Sequence, residues 1–458
     1  MSPFVSNRGV PPPPPEARRT APVPQGRTRR LLHLGRAVGE LAAGAAAEGV
    51  SRLARGESLA LSQLMLTPGN ARRLAERLSQ MRGAVMKAGQ LMSMDGKGVL
   101  PPHFAELLGG LRDRAHHMPA TQLAELLERE YGPSWNKRFR RFSFEPVAAA
   151  SIGQVHRAET HEGAVLALKI QYPGVRQSID SDVANLGLLA RTPGLVPAAI
   201  DVVPLLARVR EQLHRETDYR AEAQAVSAYR ARLGEDPVLW VPQVVEAHCT
   251  DHILATEFAP GEPVDRLGDL ARPGRPELPQ DQRDGIAHAL ASLTVREFFE
   301  MGLVQTDPNF ANYLYDANTG RMALLDFGAT EAVVPLRREQ LREIGRGLRD
   351  GDRARVTAAA LAIGFIAAQD PPAQSQAIID LMEMAGEPLR HRGPYDFGAS
   401  DLFSRTYASG RDQYLGEGFA RTPPPDLLFL QRKFAGSFML CARLRARVDV
   451  QALFAPHL

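Results

Sequence analysis

The 458-residue chain is poor in cysteine and aromatics, with two cysteines, two tryptophans and an aromatic fraction of 6%. Cys249 and Cys441 cannot build a disulfide framework, which excludes the small cross-linked secreted class; both fit a reducing compartment as packed free thiols. Long hydrophobic runs are missing as well. No segment reaches the roughly 20 apolar residues that a spanning helix needs, and the best candidate, Leu41 to Ala47, is mostly alanine between Glu40 and Glu48. The expected location is cytoplasmic, with any membrane contact peripheral. A strong excess of one charge is also absent: 55 Lys and Arg stand against 52 Asp and Glu, a net charge of +3. Residues 1–30 hold six arginines and one acid and so carry +5, leaving −2 for the rest. The folded part is therefore slightly acidic, and nucleic acid is not an expected partner.

What is present is a globular composition, 44% hydrophobic and 23% charged, on a chain long enough for two domains or one large one with extensions. Residues 1–30 are rich in Pro and Arg, with almost no large apolar side chains, and read as a disordered tail. The tail has no apolar h-region and is neither a secretory nor a twin-arginine signal. Its arginines would favour anionic lipid headgroups, at about 1 kcal/mol per basic residue near a surface. From about 35 to 135 the pattern is helical. Over Asn70 to Met92, Leu74, Leu78, Met81, Val85, Ala88 and Met92 form one stripe, while the other side turns from polar to Gly83, Met86, Lys87 and Gln90, as expected of a helix covered on two sides. Gly35, Gly39, Ala43 and Ala47 make a small-residue stripe that suits close helix approach.

Between about 138 and 172 the sequence predicts strands: Phe142 and Phe144 on alternate positions, then Gln154 to Ala158 and Ala164 to Gln171. Helical periodicity returns from Ser181 to about Leu233, followed by an extended run Ile253 to Phe258, a Pro/Gly-rich loop Pro260 to Pro279 and a helix near Gln282 to Met301. A polar loop, Thr306 to Asn312, leads into a hairpin of Tyr313–Tyr315 and Met322–Leu325, and helices follow to about Leu444.

The chemistry is concentrated in ordered polar residues. Asp307 and Asn312 are five apart, and Asp326-Phe-Gly follows one hairpin later, the intervals of a phosphoryl-transfer catalytic loop and its metal-binding carboxylate. In such a site Asp307 orients or deprotonates the acceptor, and Asn312 and Asp326 supply oxygens to Mg²⁺. Upstream, Lys169 ends an apolar strand. Read alone it could be an ordinary edge lysine, but a following helix offers Glu222, with Glu216 as runner-up, to orient it against the phosphates of ATP. Before the lysine strand, where glycines would cover the phosphates, stand Ala148, Ala149, Ala150 and Ser151. Alanine resists positive φ and limits close approach, so this turn is expected to hold a nucleotide differently. Glu257 and Ala259, after the extended run, are the candidate hinge for the adenine.

Lys87-Ala-Gly-Gln90, Ala148 to His156, Lys169-Ile-Gln-Tyr-Pro-Gly, Glu216-Thr-Asp218-Tyr, Gln305-Thr-Asp307-Pro-Asn and Asp326-Phe-Gly-Ala-Thr resemble the UbiB/AarF-type atypical kinase family, in the branch of the mitochondrial coenzyme Q atypical kinases. The resemblance runs from about Gly35 to the C-terminus and includes Arg432-Lys-Phe-Ala-Gly-Ser-Phe. It implies an α+β, protein-kinase-like two-lobed fold, divided into the 1–30 tail, a 31–137 helical extension, a 138–259 N-lobe and a 260–458 mostly helical C-lobe. In that arrangement Lys87 and Gln90 point into the nucleotide site, with Glu216 and Asp218 facing the extension. It further implies ATP and Mg²⁺ as cofactors and an ATPase or small-molecule phosphotransferase supporting ubiquinone synthesis. The partners it implies beside the nucleotide are anionic lipid surfaces, quinone-biosynthesis proteins and quinone precursors. The chain departs from ordinary protein kinases in having Gln305-Thr306 where His-Arg would precede the Asp, and no Ala-Pro-Glu element after Asp326; peptide phosphorylation is therefore not expected. Two alternatives share parts of this pattern: an aminoglycoside- or choline-kinase-like enzyme, which leaves Lys87 and Gln90 unexplained, and a non-catalytic nucleotide-sensing scaffold.

Overall fold

The computed structural model describes residues 118–190, 202–267, 277–307, 309–415 and 425–458. The expectations for the 1–30 tail, the small-residue stripe and the Asn70–Met92 helix with Lys87 and Gln90 lie outside the described residues.

Helix α1 (Ala120–Tyr131) buries Leu123, Leu126 and Leu127 and stops at Gly132, whose φ of +88° suits a residue without Cβ and whose N–H donates to Glu128 O. The buried stripe lies against a four-stranded antiparallel sheet in the order β1 (Arg141–Ala149), β2 (Gly153–Glu159), β3 (Val165–Gln171), β5 (Ile253–Glu257). Side-chain alternation along β3 decides what faces what. Leu166, Leu168 and Ile170 are at most 1% exposed and pack with α1, so Lys169, one position out of phase, emerges on the opposite face. Because β3 has β2 on one side and β5 on the other, Lys169 sits on an interior strand, and the edge-lysine alternative does not apply.

The helical stretch expected as one run from Ser181 to Leu233 is divided into α2 (Val175–Ala190), α3 (Val202–Glu216) and α4 (Tyr219–Leu233). The break between α3 and α4 has a local cause. Asp218 is the N-cap of α4, its Oδ1 accepting from Ala221 N–H at 2.9 Å, so the chain leaves helical geometry at Thr217-Asp218 and restarts.

Beyond β5 the structure is largely helical. Helix α5 (Gln280–Arg296) runs into a π-helical turn, Glu297–Met301, that ends on Gly302 at φ +60°. Strand β7 (Leu303–Gln305) follows, then the hairpin β8 (Tyr313–Asp316) and β9 (Arg321–Leu324), in a four-stranded sheet with the short strands β4 (Leu239–Trp240) and β6 (Glu262–Pro263). A strand absent from the sequence reading, β10 (Thr330–Ala332), pairs antiparallel with β7 and brings the segment after Asp326 back beside the catalytic-loop candidate. Helices α6 (Pro335–Asp350), α7 (Arg353–Ile363), α8 (Pro372–Ala385), α9 (Leu402–Leu415) and α10 (Pro425–Arg443) complete this half. Its core joins Leu290, Leu293, Phe310, Met322, Leu324 and Leu440 with α4 residues Val226 and Tyr229, so the helix that carries Glu222 packs into the same core as the hairpin. Among the described residues no helix is long and apolar enough to cross a membrane.

Candidate active site

The centre of the site is an ion pair. Lys169 Nζ lies 2.6 and 2.9 Å from the two oxygens of Glu222 and 4.0 Å from Asp326 Oδ1. Glu222 occupies the first turn of α4 and is buried; the Tyr219 ring, one turn earlier, supports the ammonium from below at 5.3 Å. Burial disfavours the charge on Lys169, but Asp326 and Glu222 outweigh it and hold the lysine well above its ordinary range. Burial, opposed by the Lys169 ammonium, pushes the Glu222 carboxyl up to about 7. Glu216, the other carboxylate considered for Lys169, instead accepts from Ser151 Oγ at 2.6 Å.

That contact pins the alanine-rich turn. Ala149 still pairs with Gln154, Ala150 N–H donates to Gly153 O, and the buried Ile152 gives its carbonyl to Tyr172 N–H. Ala148 and Ala149 are exposed and Ala150 is half-buried. The turn is a short, anchored connection between β1 and β2. Gly153 is required by close approach: a Cβ there would lie 2.3 Å from Ile170 O and 3.1 Å from Tyr219 Oη.

The second half of the site hangs on the β8–β9 hairpin. Asn309 accepts from Ala311 N–H through its side chain and turns the chain into Phe310–Asn312. Leu325 N–H donates to Asn312 O at 2.8 Å, so Asn312 and Asp326 meet at the open end of one hairpin although 14 residues separate them. Asn312 is 8% exposed and its Nδ2 finds no acceptor among the described residues. Asp326 adopts φ +60°, a left-handed conformation that Asp tolerates better than most residues, and its Oδ1 accepts from Gly328 N–H at 3.2 Å. A carboxylate oxygen and a side-chain amide oxygen are hard donors of the kind Mg²⁺ takes, so the residue types present fit that ion. Asp307 is half-buried at the start of the same loop.

Gln305, part of the Gln305-Thr-Asp307-Pro-Asn motif and a departure from His-Arg, holds this half together. Its Nε2 donates to Asp326 O at 2.9 Å, and its Oε1 accepts from Tyr313 Oη at 3.2 Å. Thr306 adds two bonds, N–H and Oγ1 both donating to Ala329 O. The amide and the threonine thus tie the loop to the Asp326 segment where a His-Arg pair is lacking. Nothing local marks Gln305 for this role, since Glu297, Tyr313 and Asp326 come from three other segments that the fold brings to it.

At the candidate hinge, Glu257 lies opposite Leu166 of β3, about 10 Å along from Lys169 at strand rise. Its N–H donates to Gln243 O, its Oε2 accepts from Gln243 N–H and it stands 3.7 Å from Arg230; the side chain serves the strand edge. Ala259 is buried where the chain leaves the sheet. The structure therefore brings Lys169, Glu222 and Asp326 together, bonds Asn312 to Leu325 next to Asp326 and pairs Ser151 with Glu216, whereas Lys87 and Gln90 lie outside the described residues.

Residues 110–360 match the family described as the ABC1 atypical kinase-like domain. The chain belongs to this atypical kinase family. It is 36% identical to the mitochondrial atypical kinase COQ8B of Rattus norvegicus over 95% of this chain and 81% of that one. It is 33% identical to the mitochondrial atypical kinase COQ8 of Saccharomyces cerevisiae, over 95% of this chain and 85% of that one. Among solved structures it resembles the Mycobacterium tuberculosis protein of the Rv3197–erythromycin complex, with a TM-score of 0.58 and 26% identity over 85% of this chain and 95% of that chain. The α+β kinase-like fold expected from the motifs holds, with a helix preceding the sheet and a largely helical C-terminal part, as does membership of the UbiB-type family.

Proposed function

We propose that this atypical kinase-family protein binds ATP with Mg²⁺ and acts as an ATPase or small-molecule phosphotransferase in support of isoprenoid-quinone synthesis. The observation that carries the reading is the Lys169 ammonium held between Glu222 at 2.6 Å and the Asp326 carboxylate at 4.0 Å. A cation fixed by one buried anion and left close to a second, more exposed one can meet phosphate oxygens on its free side. Lys169 binds the phosphates and Glu222 orients it. Asn312 and Asp326 hold Mg²⁺, which supplies charge neutralisation on the phosphate oxygens when bound. Asp307 orients or deprotonates the acceptor hydroxyl or water, and the Ser151–Glu216 bond fixes the turn that covers the phosphates. Glu257 and Ala259 border the adenine, and Lys87 and Gln90 restrict access. The quinone assignment rests on the COQ8 relatives, which cover nearly the whole chain; anionic lipid surfaces, quinone precursors and quinone-biosynthesis proteins are the partners it calls for.

The test is phosphate release from ATP by the purified chain, with and without anionic liposomes and phenolic quinone-precursor analogues, beside Asp326→Asn. Stimulated release that depends on Asp326 supports the reading. Release that Asp326→Asn leaves intact overturns the catalytic assignment, and Mg²⁺-dependent nucleotide binding with no release under any condition points to a nucleotide-sensing scaffold.

A further inference from the structure

Behind the site, away from the face that Lys169 presents, lies a second buried ion pair. Lys433 on α10 and Glu297 in the π-helical turn after α5 are 2% and 0% exposed, and Nζ approaches Glu297 Oε2 at 2.7 Å. Two buried charges in contact are costly to desolvate, and removing one leaves the other uncompensated, so each depends on its partner's geometry. The other Glu297 oxygen, Oε1, accepts from Tyr229 Oη at 2.7 Å and from Gln305 N–H at 3.0 Å. Tyr229 is on α4, two turns beyond Glu222, and its ring lies 4.7 Å from that of Phe327. Lys433 Nζ also reaches Tyr313 Oη at 3.4 Å, and Tyr313 in turn donates to Gln305 Oε1. Gln305 is the residue that donates to Asp326 O. The nearby cavity, bordered by Leu290, Phe310, Tyr313, Lys433 and Leu440, is mostly apolar and about 10 Å³, room for no more than a water, so this ion pair does not form a ligand site.

From these contacts we infer that Lys433 is a positioning residue for the metal-binding half of the site. Its ammonium neutralises and aims Glu297. That carboxylate locks the Glu222 helix to the catalytic loop, while Tyr313 and Gln305 carry the restraint to the backbone of Asp326, which holds φ +60°. Burial works against the lysine's charge, but Glu297 and Tyr313 raise its pKa above the ordinary value, so the pair stays charged. The inference builds on the proposed Mg²⁺-nucleotide reading, and its test includes a measurement made without ligand.

The full chain and its Lys433→Met variant are compared by hydrogen exchange of the 325–330 segment without ligand, and by the Mg²⁺ concentration that half-saturates binding of a fluorescent ATP analogue. Lys433→Met is expected to speed exchange at 325–330 and to raise the Mg²⁺ midpoint at least about tenfold, the usual size of an effect transmitted through a ligand's supporting shell. The doubly neutral Glu297→Gln/Lys433→Met protein keeps acceptors for Tyr229 and Gln305 and should return most of the way to the wild-type midpoint. If Lys433→Met does not fold, Tyr313→Phe cuts the same path one bond later and should raise the midpoint in the same direction. An unchanged midpoint in Lys433→Met, or in Tyr313→Phe where that stands in, overturns the inference even if melting temperature falls. A wild-type chain that binds no nucleotide overturns the functional reading instead, and unchanged exchange at 325–330 then overturns this one separately.

Discussion

Asp326 Oδ1 stands 4.0 Å from Lys169 Nζ while Glu222 Oε1 holds the same nitrogen at 2.6 Å. The two carboxylates therefore compete for one cation from unequal positions. Glu222 is buried at 4% side-chain exposure, whereas Asp326 keeps 40%. The buried acid holds the lysine at contact distance, and the more exposed one stands further off. This asymmetry is the basis for proposing Asp326 over Glu222 as the metal ligand, because a carboxylate already spent on a lysine at contact distance is a poor additional ligand.

The first prediction concerns pH. Burial, opposed by Lys169, lifts the Glu222 carboxyl from its ordinary 4.5 to about 7. A folded-state value above the unfolded one means that the folded chain takes up this proton more readily. The stability it contributes is complete below about 4.5 and is lost as pH rises through about 7. Function runs the other way, since the ion pair with Lys169 forms only when the proton leaves. Turnover, or Mg²⁺-nucleotide affinity, should rise with pH through about 7, and Glu222→Gln should flatten that rise. A pH profile with the same inflection in the variant would remove Glu222 as its source.

Asp326→Asn separates fold from chemistry. Asparagine tolerates positive φ as well as aspartate does, and its Oδ1 can still accept from Gly328 N–H. Thermal unfolding should therefore stay close to wild type. The negative charge beside Lys169 is lost, and with it the anionic metal ligand, so Mg²⁺-dependent turnover should fall at least about a hundredfold. A variant that melts much earlier than wild type would show that the carboxylate also supports the fold.

Gly153→Ala tests the turn. The added methyl carbon would sit 2.3 Å from the carbonyl oxygen of Ile170, a backbone atom of the strand that carries Lys169, with no flexible side chain to yield. Overpacking of this kind costs about 1–3 kcal/mol, and relief requires β2 to move away from β3. The urea midpoint should drop accordingly, and nucleotide affinity should fall with it because the Ser151–Glu216 anchor is one turn away. Wild-type stability would mean that the strands separate more easily than their continuous ladder indicates.

What the sequence disclosed depended on how local the cause was. Strands β1 to β3, the β8–β9 hairpin and the family motifs were legible because alternation, turn residues and fixed spacing act within a few positions. The end of α3 was missed, although Asp218 is an ordinary N-cap, because apolar periodicity continues on both sides of it. Strand β10 is three residues long and exists only through its pairing with β7. The roles of Gln305 and Lys433 were invisible for the same reason. Lys433 stands in the Arg432-Lys-Phe-Ala-Gly-Ser-Phe motif, which gives it no role of its own, and its partner Glu297 is 136 residues away in sequence. Burial of a charge pair is settled by tertiary packing, and no periodicity announces it.

Tyr229→Phe probes the link between the two buried networks with the smallest change available. The ring remains to pack against Phe327 at 4.7 Å, so no cavity opens, and only the hydroxyl that donates to Glu297 Oε1 at 2.7 Å is lost. A hydrogen bond to a buried charged group is worth about 1.5–3 kcal/mol. Glu297 keeps Gln305 N–H and the Lys433 ammonium, which places the expected loss toward the lower end of that range. Because the hydroxyl connects α4 to the catalytic loop, the loss should also appear as weaker Mg²⁺-nucleotide binding, with nucleotide binding in the absence of metal changed less. Equal weakening with and without Mg²⁺ would assign Tyr229 to the packing of α4 alone and break the connection drawn between Glu222 and Asp326.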